Sequence, residues 1–195
     1  MKICIFGAAS AHIDSIYIKA VEELGKKLAK QGHTLVFGAG ATGLMGAAAR
    51  GFTAGGGEII GVIPEFFRDE AVEQIYPECT RLIYTKTMSE RKKTMEDEAD
   101  AFIIVPGGIG TFEEFFEVLT LKQLGRHDKA IAIYNLESYY DELERFMRTS
   151  VERKFINYNC SKMYSYFYTD DKLVEYLENY KGDHKGEWHK LKVGE

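Results

Sequence analysis

The chain has 195 residues, 45% of them hydrophobic, which suits one domain with a sizeable core; residues 1–180 are expected to form it and 181–195 a polar tail. A formal charge of -5 argues against general nucleic-acid binding, and no run approaches the ~20 apolar residues that cross a membrane. Three scattered cysteines, Cys4, Cys79 and Cys160, support neither a disulfide framework nor a zinc knuckle, so a cytoplasmic setting is expected.

Lys2-Ile3-Cys4-Ile5-Phe6-Gly7 reads as a first strand, and Ala8-Ala9-Ser10 as a tight turn at its carboxyl end. Asp14 or Ser15 caps a helix to about residue 31, with Ile18, Val21, Leu24 and Leu28 on one face and Gly32 closing it. A second strand over 33–37 runs into a glycine-rich turn, Gly38-Ala39-Gly40-Ala41-Thr42-Gly43. An alanine-rich helix over 44–54 suits close packing on a sheet, and a third strand over 58–63 stops at Pro64. Residues 65–79 lack a clean period and read as a loop with a short helix at 68–74. A short strand over 81–84 precedes Thr87-Met88-Ser89-Glu90, a T-x-x-E capping box that opens a helix to about residue 99. Further strands are expected at 101–105, 129–134 and 165–168, and helices at 112–124, 139–151 and 170–180. Trp188 is the largest apolar residue of the tail. Strands and helices alternate almost throughout, so the expected fold is α/β: a Rossmann-like, doubly wound, mostly parallel sheet with helices on both faces.

The chain is organised around Val105-Pro106-Gly107-Gly108-Ile109-Gly110-Thr111-Phe112-Glu113-Glu114. This stretch joins an apolar strand to a helix. Glycines let the backbone approach a ligand, and a helix start offers unpaired N–H groups to an anion. The pattern is neither G-x-x-x-x-G-K-[ST] nor G-x-G-x-x-G. It reads as a phosphate cradle for a mononucleotide or sugar phosphate, or as a tight turn with no ligand. The turns at Gly7, at 38–43 and at 107–111 converge on one edge of the sheet, which favours a crevice.

Arg91 opens the triplet Arg91-Lys92-Lys93, which suits either a phosphate or carboxylate clamp or a solvated helix face. Glu114 follows the cradle. It could flank a bound sugar, or serve as the second half of a capping box with Thr111. Glu117, one turn on, has the weaker claim. The five histidines show no H-x-x-x-H or H-E-x-x-H spacing, so no metal site is expected. No G-x-S-x-G elbow is present.

Met88-Ser89-Glu90-Arg91-Lys92 resembles the M-x-x-R-K motif of the Lonely Guy (LOG) phosphoribohydrolases, and residues 106–114 resemble their P-G-G-x-G-T-x-x-E motif. Gly43-Leu44-Met45-Gly46, Gly61-Val62-Ile63-Pro64 and Gln123-Leu124-Gly125-Arg126-His127-Asp128-Lys129 extend the similarity, which covers about residues 2–150 and weakens towards 180. Members of this family were once mislabelled lysine decarboxylases. The resemblance implies a Rossmann-like fold, a homodimer or larger assembly, no cofactor, and hydrolysis of the N-glycosidic bond of a nucleoside 5′-monophosphate. The substrate would be a cytokinin riboside 5′-monophosphate or AMP. It implies Arg91 and Glu114 as the catalytic pair and Gly107, Gly108, Gly110 and Thr111 as the phosphate loop. Lys92, Glu113, Glu73 and Thr120 match further substrate-contact positions. The alternative is a non-catalytic nucleotide or cofactor carrier of similar fold. Amino-acid decarboxylation would need a pyridoxal-binding lysine, and no lysine lies on a cradle loop. The chain departs from the family pattern in Phe6-Gly7-Ala8-Ala9-Ser10, often C-G-S-S, and in Phe37-Gly38-Ala39-Gly40, often Y-G-G-G.

Overall fold

The computed structural model describes residues 1–69 and 74–182. Seven strands form one sheet: β1 (Lys2–Phe6), β2 (Thr34–Phe37), β3 (Glu58–Pro64), β4 (Arg81–Thr85), β5 (Ala101–Ile104), β6 (Ala130–Tyr134) and β7 (Ser165–Phe167). Their order is β4-β3-β2-β1-β5-β6-β7, with every neighbouring pair parallel. Among the described residues seven α-helices accompany them: α1 (Ser15–Lys30), α2 (Gly43–Gly55), α3 (Glu65–Asp69), α4 (Met88–Glu98), α5 (Ile109–Gln123), α6 (Asp141–Glu152) and α7 (Asp170–Asn179).

The alternation of side chains along each strand divides the interior into two cores. Ile3, Ile5, Leu35, Phe37 and Ile59 point to one face, under α1, α2 and α7. Cys4, Phe6, Val36, Phe102 and Ile104 point to the other, with Met95 of α4, Phe115 and Leu119 of α5 and Met147 of α6. Both faces are covered, so the central strands read as continuous apolar runs. The strand order reverses between β1 and β5. In open α/β sheets the ligand crevice lies at such a switch point, outside the carboxyl ends of the strands.

Local chemistry sets the helix ends. The Asp14 carboxylate caps α1 by accepting from the Ile16 N–H at 3.0 Å. At the other end Gly32, at φ 79°, donates to Ala29 while His33 donates to Leu28, which is a Schellman closure. Thr87 caps α4 by accepting from the Glu90 N–H at 3.1 Å, as its capping box implies. Glu90 reaches back one residue further than expected, to the Lys86 N–H at 2.8 Å.

Several expected boundaries move. Helix α5 starts at Ile109 rather than at residue 112, with Gly108 as its N-cap. The apolar period hid this first turn because Ile109 is 83% exposed and Gly110 has no side chain to bury. Helix α3 starts directly after β3, earlier than the helix expected at 68–74, whose last residues fall partly outside the described ones. Helix α6 starts at Asp141, because a 3-10 turn, Leu136–Ser138, intervenes. A second 3-10 turn, Tyr158–Lys162, was also not expected. The small residues of α2 serve helix–helix packing as much as helix–sheet packing: a β-carbon on Gly51 would lie 2.1 Å from the Glu22 carbonyl of α1. Trp188 lies outside the described residues, and among those no helix is long and apolar enough to cross a membrane.

Candidate active site

Backbone hydrogen bonds bring the first and second turns to the cradle. The Ala8 N–H donates to Pro106 at 3.1 Å, and the Leu44 N–H donates to Ala8 at 2.8 Å. The Thr42 hydroxyl donates to the Ala9 carbonyl at 2.7 Å. A cavity of about 200 Å³ opens here, lined by Ala8, Ile13, Tyr17, Pro106, Gly108 and Tyr139 among others. In the second turn Ala39 adopts φ 65°, a left-handed conformation for which glycine is the default. The chain therefore keeps the shape of a glycine turn there without the glycine.

The cradle itself follows β5. Gly107 packs under Thr111, whose hydroxyl oxygen would lie 2.1 Å from a β-carbon at position 107. Gly108 and Gly110 have open space where a side chain would stand, so the rim of the turn is bare backbone. Thr111 is the third residue of α5, and Gly108 caps the helix without a side-chain bond. Thr111 and Glu114 therefore do not form a capping box. Glu114 sits inside the helix, with its carboxylate available for another role.

Arg91 is buried, so this member of the basic triplet does not belong to a solvated helix face. Its Nε donates to the Val62 carbonyl at 3.0 Å and its Nη2 to the Gly38 carbonyl at 2.8 Å. The Phe67 ring lies 5.6 Å from the guanidinium carbon. The cation is thus seated across the carboxyl ends of β2 and β3. A β-carbon on Gly38 would fall 1.8 Å from Nη2, so Gly38 is required by space rather than by backbone conformation. Lys92 is largely covered. It bridges Glu113 and, at 2.7 Å, Glu117 of α5. Lys93 is solvated and pairs with Asp97.

The electrostatics single out Glu114. Burial raises its carboxyl to about 7, against the opposing pull of the Arg91 charge. Glu113 and Glu117 add to the rise, and Lys92 opposes it. Arg91 and Glu114 therefore share one electrostatic neighbourhood although they come from α4 and α5. Glu96 is also raised to about 7, by burial and then by Glu117. For Lys92, burial alone would lower the ammonium, but its bonds to Glu113 and Glu117 outweigh this and hold it above its ordinary value.

Of the residues singled out from sequence, Arg91 and Lys92 of α4 form one charged group with Glu113 and Glu114 of α5, the helix that Gly110 and Thr111 open, while the cavity at Gly107 and Gly108 is lined by none of these four charged side chains. Thr120 lies elsewhere, exposed on α5 roughly 14 Å beyond Thr111 at 1.5 Å per residue. Glu73 lies outside the described residues. Sequence reasoning missed Gly38, Val62 and Phe67 as the seat of Arg91, because two of the three act through backbone carbonyls that no motif displays. It also missed Glu96 and Tyr139.

Residues 45–177 match a family model described as "Possible lysine decarboxylase". Two cytokinin riboside 5′-monophosphate phosphoribohydrolases of Arabidopsis thaliana are each 36% identical to the chain. One match covers 97% of this chain and 87% of the relative, the other 99% and 92%. A molybdenum cofactor carrier protein from Chlamydomonas reinhardtii shares the fold, with a TM-score of 0.70 over 91% of this chain and 94% of its own at 22% identity. With both sequence motifs and near full-length identity of this order, the chain belongs to the LOG family of cytokinin riboside 5′-monophosphate phosphoribohydrolases.

Proposed function

We propose that the protein hydrolyses the N-glycosidic bond of a nucleoside 5′-monophosphate, a cytokinin riboside 5′-monophosphate or AMP, giving free base and ribose 5-phosphate. The observation that carries this reading is the electrostatic coupling of Glu114 to Arg91 beside a bare glycine cradle. In this reading Gly107, Gly108, Gly110 and Thr111 hold the 5′-phosphate at the start of α5. Binding energy at that remote group then orients C1′. Breaking the C1′–N bond builds positive charge on the sugar, which the Glu114 carboxylate offsets. Water adds its oxygen to C1′ as the C1′–N bond breaks, and Glu114 takes up the proton that water loses and passes it to the nitrogen of the departing base. A carboxyl near 7 suits that exchange, since it gives and takes protons close to neutral pH. Arg91 anchors the substrate with a guanidinium already fixed on two carbonyls. Lys92 and Glu113 are further contact candidates, and the mechanism assigns no step to a metal or cofactor.

Residues 1–180 act as one domain in this reading, in the cytoplasm, as a homodimer or larger assembly. Support for assembly comes from α5 and its C-cap, where Ile109, Phe116 and Leu124 are exposed on one stripe with Thr120 between them. A second copy packed there would bring Thr120 to an interface. Decarboxylation is disfavoured because no lysine lies on the cradle turn and Lys92, which reaches α5, is held protonated by two carboxylates. The carrier alternative predicts nucleotide retained without turnover. Incubation with AMP and N6-isopentenyl-AMP, with chromatographic detection of released base, separates the two. Absence of release from either nucleotide, or full activity in Glu114→Ala, refutes the proposed mechanism.

A further inference from the structure

We propose that Tyr139 is a positioning residue for the anion cradle: its hydroxyl pins the Gly107 carbonyl so that the turn presents only N–H groups to the substrate phosphate. This rests on the phosphoribohydrolase reading above. A carbonyl aimed into an anion site repels the ligand. The turn between β5 and α5 has four carbonyls, and each has a donor: that of Gly108 accepts from the Phe112 N–H at 3.0 Å in the first turn of α5, and the other three have partners outside the helix. Val105 accepts from the Tyr140 hydroxyl at 2.8 Å, Pro106 from the Ala8 N–H at 3.1 Å, and Gly107 from the Tyr139 hydroxyl at 2.7 Å. What the turn has left to offer is the set of N–H groups that open α5, which have no intrahelical acceptor. A trans peptide points its C=O and its N–H in opposite directions. Holding the Gly107 oxygen on the Tyr139 side therefore turns the Gly108 N–H to the other side.

The connection that delivers Tyr139 is built to aim it. Asn135 is buried at the end of β6. Its side chain accepts from the Tyr140 N–H and donates to Asp141, both at 2.7 Å. Between Asn135 and Tyr139, Glu137 at φ 49° and Ser138 at φ 57° are two successive left-handed residues that are not glycine. A β-carbon makes that conformation unfavourable, and such strain persists where the surroundings enforce it, commonly at functional sites. The Tyr139 ring is fixed edge-on against Tyr140 at 5.0 Å and Tyr17 at 6.4 Å. Ring direction, backbone and hydroxyl thus all converge on one carbonyl of the cradle.

Tyr139→Phe keeps the ring and removes the bond. With the full-length variant, KM for the nucleotide should rise about tenfold while kcat stays within about twofold of wild type. Calorimetric titration should show ribose 5-phosphate weakened by the same factor and adenine unchanged. Tyr139→Leu, which also removes the ring, should do the same or more, with a melting curve to confirm folding of both variants. Wild-type affinity for ribose 5-phosphate in Tyr139→Phe, or an equal loss for both products, overturns the assignment. If the wild-type protein releases no base and binds neither product, it is the phosphoribohydrolase reading that fails.

Discussion

Replacing Gly38 by alanine tests the site where its geometry is tightest. The new methyl carbon would stand 1.8 Å from Arg91 Nη2, against 3.4 Å or more for an ordinary contact. The guanidinium end of a long side chain can swing away, whereas the β2 backbone cannot, so Arg91 is the group that moves. Moving it breaks the 2.8 Å bond to the Gly38 carbonyl and disturbs the 3.0 Å bond to Val62. A hydrogen bond from a charged donor contributes about 1.5–3 kcal/mol. Loss of one implies a melting temperature lower by about 3–12 °C for a domain of this size. The effect on catalysis should be larger. An ångström-scale misplacement of a positioning group costs about 10²-fold in rate, or about 2.7 kcal/mol of transition-state stabilisation. The assay is kcat/KM for base release from AMP, read beside a thermal melt. A drop of about 10²-fold in a protein that still melts cooperatively is expected. If Gly38→Ala retains kcat/KM within about twofold of wild type, Arg91 is not held by this seat for catalysis and the reasoning fails.

Two other expectations follow from the same coordinates. Glu114 has its carboxyl raised from 4.5 to about 7, so activity that needs the carboxylate should climb as pH rises through 7. The same shift means that ionising Glu114 costs the folded state: stability present below 4.5 is lost as pH rises towards and through 7, by up to about 3 kcal/mol. Glu114→Gln should therefore abolish the acid limb of the pH–rate profile. It should also melt above wild type at pH 8, with the gap closing towards pH 4.5; a constant gap across that range would contradict the assignment. Far from the cradle, Lys122 is buried, donating to the Lys129 and Met163 carbonyls at 3.0 Å each and to the Tyr180 hydroxyl at 2.6 Å. Lys122→Met should cost about 3 kcal/mol, visible as a fall of about 6–12 °C in melting temperature, with KM unchanged. A changed KM would tie that buried cation to the active site.

Much of the architecture was legible because its causes are local. Apolar runs such as Ala101-Phe102-Ile103-Ile104 declare a strand covered on both faces, and Asp14, Thr87 and Gly32 mark helix ends through bonds made within a few residues. Legibility failed where a boundary depended on exposure rather than pattern. The first turn of α5 hides its start because Ile109 faces solvent. The 3-10 turn before α6 runs against the backbone preferences of Glu137 and Ser138, so nothing local announces it.

The sequence by itself determined the alternating α/β plan, the cradle and the pair of motifs that hold Arg91 and Glu114. Those features depend on residue type and short spacing. Tertiary structure decided which polar groups matter. It seated Arg91 on the carbonyls of Gly38 and Val62 and separated Lys92 from Lys93 by burial. It raised Glu114 by removing water, and bound the cradle carbonyls to tyrosines from a distant connection. Backbone acceptors and desolvation exist only once strands distant in sequence lie side by side, and no local pattern of side chains encodes them.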